Sequence, residues 1–435
     1  MIGRRLWGLL SLIALMACGG RTDLPHPPIP DAEIIDEPEP AREIPCIDVP
    51  LDGSPVRASL ELEARIGAAD VIFLIDVTLS MGEEIDRIRE RLRDRIAPGI
   101  HDAIPDARLG VASFADFPIT PYGEPGLDYP FKLHVRATDD LIQVQSAMDA
   151  LRLGNGFDEP ESQVEALYQL VTGDGLFPHI PPSLGCPSGG WGYACIRDDS
   201  LPVILLFTDA PFHQGPRDFS KYSPSVLGTT PHSYADAIVA LNGVGAKVIG
   251  FDSGVRNLSG DHLRQLARDT GTLDEHGRPL VFNIGPTGLN LDNDVVDAVR
   301  TFASSFIQDI DALARDPNPY DEVDVEALIP AIRPVEAIPA DGIDRIDEEA
   351  NRFVGVRAGT IVTFELVIDS SLVEQREEAQ RIPADVLFRG DGRIALDVQR
   401  VELLIPGFDG LGCEELADND RSVGGHRVAE EARSL

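Results

Sequence analysis

From Ala69 to about Asp316 the chain alternates between unbroken apolar runs and stretches in which apolar residues recur every three or four positions. VIFLID (Val71 to Asp76) and LPVILLFTD (Leu201 to Asp209) are too short and too uniformly apolar for half-exposed elements, so both are predicted as strands buried on two faces. RLGVASF (Arg108 to Phe114), AKVIGFDS (Ala246 to Ser253) and the short LVFNIG run add further strands, and FKLHVRA (Phe131 to Ala137) alternates as an edge strand does. Ile85, Ile88, Leu92 and Ile96 recur at helical spacing behind the first strand. Helices are also expected over 139–151, 162–171, about 261–269, and from Leu291 to about Ile310. Strands separated by helices predict an α/β domain with a doubly wound, mostly parallel sheet covered on both faces. Ligand sites in such sheets form at the carboxyl ends of the strands.

Beyond Asp316 the pattern changes to β-rich segments separated by turns: Val356 to Asp369, Ile382 to Gly390 and Ala395 to Pro406. Arg57 to Gly67 alternates in the same way ahead of the α/β region. The economical expectation is one β-sandwich built from both flanks, 46–68 and 317–415, with the α/β domain of 69–316 inserted in it, and a polar tail over 416–435.

The first residues follow a different logic. Arg4 and Arg5 precede a short apolar run, Leu6 to Ala17, which is too short to span a bilayer and reads as a signal peptide over 1–17. Leu15-Met-Ala-Cys18 followed by Gly19 resembles a bacterial lipobox, which implies lipidation of Cys18 and anchoring of an exported chain by its acyl groups alone. Gly19 after the cysteine favours the outer membrane. The proline- and acid-rich stretch 18–45 reads as an extended tether.

A formal charge of −36, or −38 once Arg4 and Arg5 leave with the leader, argues against nucleic acid as a partner. With Cys18 assigned to lipid, Cys46, Cys186, Cys195 and Cys413 remain, and four thiols in an exported chain imply two disulfides with three pairings open. Cys186 and Cys195 bracket the short loop CPSGGWGYAC, so they are the cheapest local pair, leaving Cys46 for Cys413. A zinc site is the alternative, but no histidine stands at ligand spacing.

Three groups fall at the carboxyl ends of the predicted strands. The first strand runs into Asp76-Val77-Thr78-Leu79-Ser80, which presents three oxygens from one turn, the donor type hard cations select. Leu201 to Asp209 ends in a second carboxylate, and GFDEPES places Asp158, Glu159 and Glu161 in a turn-rich loop between them. The bland alternative for Asp76, Thr78 and Ser80 is an N-cap cluster. His213, His232 and His262 show no acidic partner at ligand spacing and read as ordinary loop or surface histidines. The glycines of GVGAKVIG precede a strand and make no dinucleotide loop; no P-loop and no Ser-His-Asp or Cys-His arrangement stands out.

The Asp-x-Thr-x-Ser-Met string, Thr208-Asp209 and LARDTGT (Leu266 to Thr272) resemble von Willebrand factor A domains and their metal-ion-dependent adhesion site. FDEPES, LLFTDAPFH and the Glu83-Glu84 pair resemble the integrin β-subunit version. The resemblance implies Mg²⁺ or Mn²⁺ held by Asp76, Thr78, Ser80, Glu161 and Asp209. It also implies an adjacent Ca²⁺ site at Glu83 and Glu84, and a third site at Asp158 with the carbonyl of Pro160. Acids in a first helical turn also suit the helix dipole, which is the alternative for Glu83 and Glu84. Thr78 replaces the commoner serine, and Gly156 stands where the third site's asparagine is expected, with Asn155 one place away. The function so implied is a lipid-anchored, non-enzymatic envelope protein. It would bind a protein partner whose exposed Asp or Glu completes the metal's coordination. An accessory subunit of an envelope enzyme complex and a structural lipoprotein with a vestigial site are the competing expectations.

Overall fold

The computed structural model describes residues 44–50, 56–187, 189–289, 291–318, 320 and 323–413. The expected leader, the lipidated Cys18, the tether up to residue 43 and the polar tail lie outside the described residues.

In chain order the elements begin with β1 (Cys46–Asp48), β2 (Val56–Glu63) and β3 (Ala68–Asp76), followed by α1 (Gly82–Arg91), which runs through a π-turn into α2 (Ala97–Ala103). Then come β4 (Asp106–Phe114), β5 (Lys132–Thr138), α3 (Leu141–Asp149), α4 (Gln163–Thr172), β6 (Leu201–Thr208), α5 (Pro224–Leu227) and α6 (Tyr234–Gly243). β7 (Lys247–Asp252), α7 (Asn257–Asp269), β8 (Val281–Asn283) and α8 (Leu291–Ser305) complete the α/β region. Beyond it lie β9 (Ile307–Arg315), α9 (Val325–Leu328), β10 (Ala331–Ile338), β11 (Arg345–Asp347), β12 (Arg352–Arg357), β13 (Ile361–Ile368), β14 (Gln380–Gly390) and β15 (Ile394–Ile405).

One six-stranded sheet has the order β5-β4-β3-β6-β7-β8, parallel except for the antiparallel edge strand β5. Every residue of β3 and β6 is buried, as two-sided coverage requires of a central strand. Val71, Phe73 and Ile75 point into a core closed by Ile85, Ile88, Val295 and Phe302 of α1 and α8. Their neighbours Ile72 and Leu74 point the other way, against Val164, Leu167 and Leu170 of α4 and Leu263 of α7. The strand's two-residue period thus sends alternate side chains to two helical layers. Phe207 of β6 stacks between Phe73 and Phe251, at ring-centroid separations of 6.2 and 4.5 Å.

The remaining strands form a six-stranded sheet, β1-β15-β14-β9-β12-β11, and a three-stranded sheet, β10-β13-β2. Phe353 of β12 meets Phe364 of β13 edge-on at 5.0 Å, bringing the two sheets into contact. β2, from ahead of the α/β region, pairs along its whole length with β13 from beyond it, and β1 pairs in parallel with β15. Disulfides join Cys46 to Cys413 and Cys186 to Cys195.

One expected element is corrected. The helix from Leu291 stops at Ser305, and 307–315 is strand β9, paired with β12 and β14. Ile307, Ile310, Leu313 and Ala314 recur at three- and four-residue intervals and imitate a helical stripe, but two neighbouring strands satisfy this backbone instead.

The β region meets the α/β region at the amino ends of the parallel strands. Arg393, just before β15, donates to the carbonyls of Ser200 and Val244 at 2.7 and 3.2 Å, and Ala395 N donates to Asp199 O at 2.8 Å. Close by, buried Asp70 accepts from Arg197 N, Arg197 Nε and Ser200 Oγ at 2.6, 2.9 and 2.9 Å. The carboxyl ends of the same strands are left facing outward.

Candidate metal centre

β3 ends on Asp76, and the chain turns through Thr78 and Ser80 into α1. Asp76 Oδ1 accepts from Thr78 N and Thr78 Oγ1 at 2.9 and 2.7 Å, while Oδ2 accepts from Thr208 Oγ1 at the end of β6, at 2.8 Å. Thr78 Oγ1 lies 3.3 Å from Ser80 Oγ, which donates to Asp209 Oδ1 at 3.1 Å. Four of the expected ligands, Asp76, Thr78, Ser80 and Asp209, are therefore joined in one chain of hydrogen bonds across two strand ends.

Glu161 arrives from the loop between α3 and α4. Its backbone is fixed beside the loop after β6, with Glu161 N donating to Pro211 O at 3.0 Å and His213 N donating to Glu161 O at 2.8 Å. Asp128 pins the same loop, accepting from Asn155 N at 2.8 Å and Gly156 N at 3.1 Å. Gly156 sits at φ +57°, and a Cβ there would stand 2.2 Å from Glu161 Oε1 and 3.3 Å from Thr78 Cγ2. Glycine at this position is what lets the glutamate close on Thr78. Glu161 is 3% exposed, and among the described residues its Oε2 has no hydrogen-bond partner.

A cleft of about 510 Å³ is lined by Thr78, Ser80, Asp158, Glu161, Asp209 and Arg256 among others, with Asp76 buried behind it. Arg256 is the cation of that lining, and its guanidinium pairs with Glu159 at 3.0 Å. Burial, with the nearby Asp209 charge, pushes Asp76 up to about 7. Burial also raises Asp209. Glu161 is held well above the ordinary carboxylate range by burial and by Asp76, Asp116 and Asp158. Buried acids so close together are unfavourable as anions unless a cation or protons neutralise them.

Beside this centre lies a group the sequence did not reveal. Asp116 follows β4, Asp158 comes from the loop before α4, and His213 follows β6. His213 Nε2 is 3.0 Å from Asp158 Oδ2 and 3.4 Å from Asp116 Oδ2, and its Nδ1 is 2.6 Å from Ser220 O. One ligand atom from each of the three lies within 4.8 Å of the others, so this buried Asp-Asp-His group could hold a metal ion. Burial pushes Asp116 up to about 8, although His213 and the Tyr222 hydroxyl, which donates to Asp116, act against it. Burial lowers the His213 imidazole, but Asp158 and Asp116 outweigh it and leave the net shift upward.

The reading of the three histidines as ordinary is therefore corrected. His213 lies between two acids, His232 Nδ1 is 3.1 Å from buried Glu165, and His262 Nδ1 accepts from Phe212 N at 3.0 Å. Glu165 comes from α4 and the other partners from loops distant in sequence, so spacing along the chain carries no trace of them. Ser113 Oγ also lies 2.7 Å from His134 Nε2. Ser113 is fully buried, and burial, with the Lys132 charge adding, lowers the half-buried His134 of β5 to about 4.

The other expected positions are placed unevenly. Glu84 is buried with neither carboxylate oxygen hydrogen-bonded among the described residues, and burial, with Asp209 and Glu83 adding, raises it to about 7. Glu83, in contrast, is exposed. Asp158 has one oxygen on His213 and the other buried without a partner among the described residues. Pro160 is half-buried in the same loop.

No family model matches the chain, and no curated protein matches it. Among solved structures it is similar to a von Willebrand factor type A protein from Catenulispora acidiphila, at 12% identity over 83% of this chain and 72% of that one, with a TM-score of 0.33. It is also similar to proximal thread matrix protein 1 of the mussel byssus, at 13% identity over 56% of this chain and 48% of that one, TM-score 0.32. A third is the pilus adhesin SpaC from Lactobacillus rhamnosus GG in its open conformation, at 9% identity over 80% and 45%, TM-score 0.31.

Proposed function

We propose that this chain is a von Willebrand factor A-type binding module that holds a divalent cation, Mg²⁺ or Mn²⁺, at Asp76, Thr78, Ser80, Glu161 and Asp209, and is not an enzyme. The observation that carries this reading is Glu161 Oε2: a buried carboxylate oxygen with no partner among the described residues, in a residue that lines the cleft with Thr78, Ser80 and Asp209. An all-oxygen donor set of carboxylates and hydroxyls suits a hard cation. The cation, when bound, supplies an electrophilic point that an Asp or Glu of a protein partner can reach. The chain's own part is to orient the donors through the Asp76–Thr78–Ser80–Asp209 hydrogen bonds and to keep Glu161 in place through Gly156. Further cation sites at Glu83 and Glu84, suited to Ca²⁺, and at Asp158 and Pro160 belong to the same proposal. So does a β-sandwich built from both flanks, and export with lipid anchoring at Cys18.

Isothermal titration of the full chain with Mg²⁺, Mn²⁺ and Ca²⁺ tests the reading. Saturable binding that is lost in the Asp76→Ala/Asp209→Ala variant and kept in His213→Ala supports the central site. Loss only in His213→Ala would move the ion to the Asp116–Asp158–His213 group, and no binding by the unaltered chain at millimolar metal would reject the mechanism.

A further inference from the structure

On the far side of β4 from the central strand, a second cleft lies between edge strand β5 and the segment 180–184, with Tyr193 from the neighbouring loop closed by Cys186–Cys195. The geometry points to this cleft as a docking site for an extended, acidic segment of a partner protein, which adds to β5 as a further strand. The cleft is about 430 Å³, and its apolar walls are Phe131 and Leu133 on one side and Ile180, Pro182, Leu184 and Tyr193 on the other. Phe131 and Tyr193 meet edge-on at 5.0 Å to form its base.

β5 pairs with β4 on one side, and it ends the sheet. Among the described residues its outer edge makes one backbone bond, Ala137 N to Ala194 O at 3.1 Å, and every residue of the strand is at least partly exposed. A sheet edge of this kind is a template for an added strand, whose alternate side chains then fall into the neighbouring apolar groove. The opposing wall is preformed. The disulfide closes the loop, Ser183 N donates to Gly173 O at 2.7 Å, and Tyr193 N donates to Leu170 O at 3.0 Å. Leu184 is nevertheless 99% exposed on that wall.

Charge selects the occupant. Lys132 and Arg136 both line the cleft, and among the described residues neither is paired with a carboxylate. The Lys132 ammonium lies 5.6 Å over the Tyr129 ring, and Arg136 donates to Gly185 O at 3.1 Å. A lysine on an edge strand deters pairing with a second basic edge and favours an acidic one. In a chain with 73 acidic and 37 basic residues, an acidic partner is repelled by most of the surface, so two unpaired cations on one apolar cleft fix where it lands.

The test uses the full chain in EDTA, so that it does not depend on the metal centre. An eight-residue displayed peptide library is selected against it, and the strongest binders are synthesised with a fluorescent label and measured by polarisation. The selected peptides should alternate acidic with apolar residues. Their affinity should fall at least tenfold in Lys132→Glu/Arg136→Glu and in Leu184→Asp, with circular dichroism unchanged, and should weaken with added salt. A selection with no saturable binder, binders without acidic enrichment, or undiminished binding by the charge-reversed variant overturns the proposal.

Discussion

A single methyl group at position 156 would test the centre most economically. The Gly156 backbone is left-handed and its missing Cβ is the space Glu161 occupies. Gly156→Ala therefore carries the left-handed penalty of about 1–2 kcal/mol and displaces the glutamate. Chemical denaturation should show the loss of stability, and titration should show weakened metal binding. Asp76→Asn separates the two effects in the opposite sense. The raised Asp76 carboxyl, buried beside the Asp209 charge, is a burden on the metal-free fold, so at pH 8 the variant should melt no lower than the unaltered chain without metal. It should nevertheless lose its response to Mg²⁺. At the other pole, Arg197→Ala leaves Asp70 buried without its guanidinium, an outcome that typically costs about 3–5 kcal/mol and should appear as a lower denaturation midpoint with metal binding retained.

At the scale of elements, the stack Phe73–Phe207–Phe251 ties the three central strands together. Phe207→Ala should lower stability by about 3–5 kcal/mol, read as a shift in the urea midpoint. The alternation of strands and helices was legible because β3 and β6 are apolar without interruption, which leaves two-sided burial as the consistent reading. Asp76, Thr78, Ser80 and Asp209 were legible because each sits at or just beyond a strand end. β9 was not, since its apolar residues keep helical spacing while its partners lie 40 to 80 residues away. His213 escaped for a related reason: Asp116 and Asp158 reach it from two other loops, and only the pairing of β4 and β6 on either side of β3 brings the ends of those strands together. Gly156 looked like a departure from a pattern, and its spatial role depends on a φ that the sequence does not display.

For the whole molecule, the acids of the centre set a pH profile. Asp76, Glu84, Asp116 and Glu161 are all raised in the folded state. Each contributes stability that is fully present below its unfolded pKa of about 4 and is lost as pH rises through its folded value. His213, also raised, acts in the same direction. The metal-free melting temperature should therefore fall between about pH 5 and pH 8. Divalent metal should restore more of it at pH 8 than at pH 6, because the ion and the protons compete for the same oxygens. Differential scanning calorimetry in EDTA and in Mg²⁺ checks both arms, and a metal-free melting temperature that rises over this range contradicts the account.

The Cys46–Cys413 bridge has a mechanical consequence. It closes a covalent ring over a separation of 367 residues, and β1 and the end of β15 lie side by side within it. A pull applied to the chain on the outer sides of these two cysteines is carried by the sulfur–sulfur bond, and the three sheets inside the ring feel none of the extension. In an oxidised molecule stretched that way, the contour length released should be short and insensitive to mutations in the α/β core. Once the bridge is reduced, the same pull should unravel the ring and lengthen the chain by the extended reach of some 370 residues, at roughly 3.5 Å each.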